Sequence, residues 1–227
     1  MLPIFVISLT RSIERRASIT KQMKRLELEF EFIDAVDGKE ITNVQLNKVD
    51  FDLARNFCGH DLSINEVGCA LSHILLYEKI VKESIDKCII LEDDIYINSS
   101  FKKIINDILK VDKSEILFLH HGKAKCWPLK NKLTDGYRLA KYIAPSKKSK
   151  RGIISTAGYV LTYSGAKKLL SISYPVRMPA DYLTGRLQLN GLSASGVEPS
   201  CLDVDLFPST IDDRKYGQHL QNLDIKA

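Results

Sequence analysis

Cys88-Ile89-Ile90-Leu91 is a run of β-forming apolar residues that ends in three consecutive carboxylates, Glu92-Asp93-Asp94. A buried strand that delivers acids at its C-terminal end is a common way to place a divalent metal at the rim of an α/β sheet. Three adjacent acids repel one another, and desolvating them is costly unless a cation sits among them. Two readings stand at this point: a metal site, or a strand that exits into a solvated acidic turn.

A chain of 227 residues makes one large domain or two small ones and can bury a sizeable core. Its net charge of +5 suits phosphorylated ligands or an anionic membrane surface and does not indicate nucleic acid. No apolar stretch approaches the roughly 20 residues that a membrane span needs. Residues 2–9 are too short for a signal-peptide core and read as a first strand. The five cysteines (Cys58, Cys69, Cys88, Cys126 and Cys201) are scattered, with no CxxC, so neither a zinc site nor a disulfide framework is suggested. A reducing cytoplasm is the simplest home for such a chain.

Strand-like and helix-like segments alternate, which favours an α/β layered domain. Strands are expected over residues 4–9, 30–33, 88–91, 116–119 and 156–162. A helix over 12–27 carries Arg15, Arg16, Lys21, Lys24 and Arg25 on a basic face. Ser63-Ile64-Asn65-Glu66 is a capping box. The helix it opens runs to about Ile85, with Val67, Ala70, Leu71, Ile74, Leu75, Ile80 and Val81 at helical spacing. Ser99 or Ser100 caps another helix, whose inner face is Phe101, Ile104, Ile105, Ile108 and Leu109, and residues 164–172 form a further one. Residues 122–152, rich in Lys and Gly, read as a long irregular loop, either a functional lid or a solvated basic excursion. Its lone tryptophan, Trp127, is equally a sugar-stacking ring or a hydrophobic plug. From Pro175 the chain reads as loops and short elements, and Asp205, Asp212, Asp213 and His219 are polar groups able to close over a site.

Four segments in this order resemble glycosyltransferase family 25, the bacterial lipooligosaccharide galactosyltransferase group. They are Val6-Ile7-Ser8-Leu9 with Arg11, Arg15, Arg16 and the Phe32-Ile33-Asp34-Ala35 turn; Glu66 to His73; Leu91-Glu92-Asp93-Asp94; and Thr156 to Val160 with Pro179-Ala180-Asp181. The resemblance implies a GT-A-like (Rossmann-like) fold, in which a mixed sheet is flanked by helices. It also implies a UDP-sugar donor, usually UDP-galactose, a saccharide acceptor of the lipopolysaccharide or lipooligosaccharide core, and Mn²⁺ or Mg²⁺.

Asp94 is then the expected primary metal ligand, with Asp93 reaching the ion through water or the donor ribose. On a strand, Glu92 and Asp94 share a direction unless the chain has already turned, and Glu92 buttresses that turn. His219 is either a further ligand or a surface histidine. Ser8, Leu9 and Thr10 are expected beside the uracil or ribose. Ala35 and Asp37 belong to the same donor side. Among Arg11, Arg15 and Arg16, one contacts the nucleotide and the others are solvated; Arg11 and Arg16 are the preferred candidates. His73 is expected to donate to a phosphate or carboxylate, and Gly68 to let another backbone approach. Gly158 lets a sugar approach the main chain or packs a core strand. Asp181 is the candidate base for an inverting transfer, although Ala180 departs from the usual Pro-Val-Asp pattern.

These expectations describe a single domain over 1–227. Its nucleotide-sugar half covers about 1–121, the basic loop about 122–152 and the acceptor half about 153–227. The chain is expected in the cytoplasm, where its net charge of +5 and the basic helix over 12–27 allow peripheral contact with the inner leaflet. Alternative readings keep the fold with UDP-GlcNAc, UDP-GalNAc or UDP-glucose as donor, or make the chain an inactive glycan-binding module.

Overall fold

The computed structural model describes residues 1–122 and 126–204. In chain order the first half runs β1 (Ile4–Ser8), α1 (Ile13–Arg25), β2 (Glu31–Asp34), α2 (Asn43–Leu46), α3 (Phe51–Cys58), α4 (Ile64–Lys82), β3 (Lys87–Glu92), β4 (Tyr96–Ile97) and α5 (Phe101–Val111). The second half runs β5 (Ile116–Phe118), β6 (Cys126–Lys132), β7 (Arg138–Tyr142), β8 (Gly158–Thr162), α6 (Tyr163–Ser173), α7 (Ala180–Gly185), α8 (Leu187–Asn190), β9 (Ala194–Glu198) and β10 (Leu202–Asp203).

Eight strands form one mixed sheet in the order β2-β1-β3-β8-β5-β9-β7-β6, and β10 pairs with β4 apart from it. β1 runs parallel to both β2 and β3, so the carboxyl ends of these three strands open on one edge. β8 is antiparallel to β3 and to β5, and it separates the β1–β3 half from the rest of the sheet. The α/β sheet flanked by helices agrees with the fold expected from the sequence.

Strand alternation divides the interior in two. Phe5, Ile7, Cys88, Ile90, Phe118, Tyr159 and Leu161 point to the face covered by α4 and α6. Ile4, Val6, Ile89, Leu91, Leu117 and Val160 point to the face covered by α1 and α5. α4 starts as the capping box predicts: Glu66 N–H donates to Ser63 Oγ at 3.2 Å and Ser63 N–H to Glu66 Oε2 at 2.8 Å. α1 is pinned beyond its apolar face by Gln22. Its amide nitrogen donates to Ile95 O at 2.9 Å, and its carbonyl oxygen accepts from Ile97 N–H at 2.8 Å. The helix is thereby fixed against the segment that follows the acid turn.

The structure departs from the sequence reading in several places. Residues 126–132 and 138–142, expected as part of an irregular loop, form an antiparallel hairpin that completes one edge of the sheet. Trp127 lies on its outer strand with 56% of its surface exposed, so it is no plug. Leu75 and Leu109, expected inside, are exposed at 39% and 36%. Ser100 sits at the N-cap of α5, but its hydroxyl gives no cap bond. The chain from Pro175 includes β9, which pairs parallel to β5 within the sheet. Asp205, Asp212, Asp213 and His219 lie outside the described residues.

Gly158 is closed in by the core. A Cβ there would stand 2.2 Å from Leu202 Cδ1 and 3.0 Å from Leu91 Cδ2. Packing explains this glycine, and no sugar has access to it. Gly158→Ala should cost about 1–3 kcal/mol by overpacking while leaving the KM for any donor unchanged. A urea titration beside a donor saturation curve checks both halves. A selective rise in KM would return Gly158 to the ligand site.

Candidate functional site

One cleft opens at the carboxyl ends of β1, β2 and β3, where open α/β sheets bind ligands. Ser8, Leu9 and Arg11 reach it from β1, Ala35 and Asp37 from the turn after β2, Cys69 and His73 from α4, and Glu92, Asp93 and Asp94 from β3. Nine residues expected at the donor or metal site therefore share one lining.

The three carboxylates divide between the two faces of the sheet. Glu92 ends β3 on the α4 side, where its Oε1 stands 3.4 Å from His73 Nε2. Asp93 points to the α1 side. The register pairs Ile7 with Glu92, which puts Ser8 beside Asp93, and Ser8 Oγ donates to Asp93 Oδ2 at 2.6 Å. By Asp94 the chain has left the strand, so this residue does not follow Glu92. Arg15 Nη1 donates to Asp93 Oδ1 at 3.2 Å and to Asp94 Oδ2 at 3.3 Å. Arg15 is thus held in the site and is not solvated. It is a functional candidate that helix periodicity could not single out.

Burial, reinforced by the charges of Glu92 and Asp93 and opposed by Arg15, pushes the Asp94 carboxyl up to about 7. An unfolded aspartate titrates near 3.9. Between those values the folded chain holds a proton that the unfolded chain has released. Asp94 therefore contributes stability that is complete below about pH 4 and lost as pH rises through 7. The wild-type protein should lose more resistance to urea between pH 5 and pH 8 than Asp94→Asn does. Equal losses in the two proteins would show that Asp94 titrates normally.

Arg16 and Gly68 support the cleft from outside its lining. Arg16 is outside the lining: its guanidinium donates to Leu9 O at 3.2 Å and Ser8 O at 2.9 Å, pairs with Asp34 and stacks on Phe32. It fixes the end of β1. Arg11 pairs with Asp37, which lowers the aspartate's pKa through the hydrogen bond between them. Thr10 is exposed and does not line the cleft. Gly68 lets the turn after β2 lie directly on α4. A Cβ there would sit 2.6 Å from Val36 O, and Ser72 Oγ accepts from Val36 N–H at 2.8 Å. Asp181 is buried in α7 and accepts from Thr156 Oγ1 at 3.1 Å. Thr156 precedes Ala157, whose carbonyl accepts from Glu92 N–H at 3.0 Å. Asp181 is thus linked to the acid turn through Thr156 and the Ala157–Glu92 bond, and it does not line the cleft.

The donor set can be tested against the divalent cation that the resemblance implies. Asp93 and Asp94 offer oxygen ligands suited to Mn²⁺ or Mg²⁺. Glu92 and Asp93 stand beside Asp94, and Arg15 is the cation that pairs with Asp93 and Asp94. These residues fit such an ion. On the α4 side, Cys69, His73 and Glu92 bring a thiol, an imidazole and a carboxylate within 4.8 Å of one another. Among the described residues no helix is long and apolar enough to cross a membrane.

The family model described as "Glycosyltransferase family 25 (LPS biosynthesis protein)" matches residues 1–184. The chain is 28% identical to the inactive glycosyltransferase 25 family member 3 of Mus musculus over 188 residues, 78% of this chain and 30% of that protein. It is 26% identical to procollagen galactosyltransferase 2 of Homo sapiens over 118 residues, 50% of this chain and 19% of that protein. The chain thus spans about 30% of the length of the first curated relatives it matches. Among solved structures it is similar to the inositol-1-phosphate CTP transferase from T. maritima, with a TM-score of 0.48 and 12% identity over 86% of this chain and 84% of that one.

Proposed function

Because the chain belongs to glycosyltransferase family 25, we propose that it seats a UDP-sugar in the cleft and transfers the hexose, galactose from UDP-galactose, to a glycan acceptor. The observation that carries this reading is the meeting of Asp93, Asp94, Arg15 and Arg11 at the carboxyl ends of parallel strands. Mn²⁺ or Mg²⁺ held by Asp94 and Asp93 would supply Lewis acidity to a departing diphosphate.

The chain's own residues supply the rest. Ser8 and Arg15 orient Asp93, while Arg16 fixes the carbonyls of Ser8 and Leu9 beside the nucleoside. Arg11 lines the cleft, half exposed and aligned by Asp37. Asp181, bonded to Thr156 and buried outside the cleft lining, is the group proposed to take the acceptor hydroxyl proton as that oxygen attacks the anomeric carbon, a role that requires the acceptor to be admitted at the Thr156 side of the acid turn. In-line attack would invert that centre. His73 is bonded to Tyr159 and faces Glu92, so it acts on the carboxylate side of the site and not as a free phosphate donor.

The family description names LPS biosynthesis and one relative is a procollagen galactosyltransferase. We take a lipooligosaccharide glycan as the acceptor and a collagen peptide as its comparator. Peripheral contact with an anionic membrane face belongs to the same reading; liposome binding that ignores anionic lipid content would remove it.

A second reading, a glycan-binding module without turnover, draws on a specific observation. Arg15 already sits on the acid pair where a cation is wanted, and several relatives are named inactive. UDP release from UDP-Gal, UDP-Glc, UDP-GlcNAc and UDP-GalNAc separates the two, with Mn²⁺, with Mg²⁺ and with chelator, and with either acceptor. Metal-dependent release from UDP-Gal supports transfer of galactose. Release from another donor corrects the sugar. No release under any condition favours the binding module.

A further inference from the structure

Cys69 and His73 lie one turn apart on α4 and face the same way. Glu92 meets them from the end of β3, and all three line the cleft. The geometry points to a second metal site built from these side chains, one that takes a borderline-soft divalent transition ion, zinc foremost, and is distinct from the oxygen-only pair Asp93 and Asp94.

Three observations carry it. The first is spacing. A thiol sulfur, an imidazole nitrogen and a carboxylate oxygen lie within 4.8 Å of one another. His73 Nε2 and Glu92 Oε1 are 3.4 Å apart, long for a hydrogen bond. Two ligands on one tetrahedral zinc, with bonds near 2.1 Å, stand about 3.4 Å apart.

The second is the support behind the histidine. His73 Nδ1 is 2.8 Å from Tyr159 Oη, which is itself 2.8 Å from Tyr77 Oη. Both tyrosines are fully buried. When Nδ1–H donates to Tyr159, the Nε2 lone pair is left for a metal, and the ring orientation is fixed by a partner outside the coordination shell. The third is ligand chemistry. Sulfur, nitrogen and oxygen donors favour zinc, cobalt or ferrous iron, whereas magnesium and calcium take oxygen alone. Thiolate and carboxylate would together balance the ion's two charges. A fourth coordination position would face the cleft, because each ligand comes from its lining.

The test needs no donor and no turnover, so its failure leaves the transferase reading standing, and the reverse also holds. The full chain, stripped with chelator, is titrated with Co²⁺. One equivalent should produce the near-ultraviolet thiolate-to-cobalt band and visible bands of tetrahedral intensity, and Zn²⁺ should displace both. Cys69→Ser should abolish the thiolate band and Glu92→Gln should weaken binding, with far-ultraviolet circular dichroism confirming that each variant is folded. Tyr159→Phe keeps the three ligands but removes the outer partner and should lower affinity by about 10- to 100-fold. Peptide mapping adds a readout in the unaltered chain, since bound Zn²⁺ should protect Cys69 from alkylation. A thiolate band that persists in Cys69→Ser, a titration with no such band, or Cys69 alkylation unaffected by Zn²⁺ would each overturn the assignment.

Discussion

Replacing Arg15 by Met should destabilise the metal-free protein by about 3 kcal/mol, at the low end for loss of one partner of a buried ion pair because Asp94 is partly exposed. The guanidinium has 12% of its side chain exposed and bridges Asp93 and Asp94, at 8% and 22%. Its removal leaves the largely buried Asp93 carboxylate, and Asp94 where it is ionised, beside Glu92 without the guanidinium that bridges them. If the pair is also a cation site, Mn²⁺ at a hundred times its Kd should restore about 2.7 kcal/mol, and the variant should bind Mn²⁺ more tightly than the wild-type protein, because the ion no longer competes with Arg15. Urea midpoints with and without Mn²⁺, together with calorimetric titration, measure both effects. A variant that loses stability but gains no affinity for Mn²⁺ would make Arg15–Asp93–Asp94 a structural salt bridge and move support to the binding-module reading.

The second large effect belongs to Asp94→Asn. This change preserves shape, removes one negative charge and leaves Asp93 bonded to Ser8 and Arg15. UDP release should fall by about 10²- to 10³-fold in kcat, the scale on which losing one preorganised electrostatic contact to developing charge acts. Stability at pH 8 should hold or rise, since the neutral amide replaces a carboxyl whose ionisation is opposed by burial and by its neighbours. A change in kcat within about threefold would take Asp94 out of the reaction. The equivalent change at Asp93 is a poorer probe, because both of its oxygens also join β1 and α1 to the turn.

Features carried by local chemistry were legible in the sequence. The Ser63 and Glu66 cap, the helix it opens and the apolar strand that ends in acids each follow from a few neighbouring residues. The glycine at 68 was legible as a close-approach position, and the structure shows Val36 as its partner. The hairpin over 126–142 was hidden because its edge strand carries Lys130, Lys132 and exposed Trp127 and Leu129, with a register shift between Cys126 and Lys130. Lysines of this kind blunt a sheet edge, and in sequence they look like a solvated loop. The role of Arg15 was hidden for a different reason. On α1 it is one basic residue among several, and only the placement of β1 beside β3 brings the helix's first turns to the acids. Cys69 likewise has no CxxC partner to mark it, and its neighbours in space are a histidine one turn on and a glutamate from another element.

The contact at Gly68 bears on how fast this cleft can change shape. Val36 meets α4 main chain to main chain, and its amide is held by Ser72. No side chain at that point can rotate aside to admit a larger ligand. Widening needs the whole turn after β2 to lift as a unit, a loop motion of nanoseconds to microseconds, where rotamer exchange takes picoseconds to nanoseconds. Ligand entry along this wall should therefore have a clock set by the backbone.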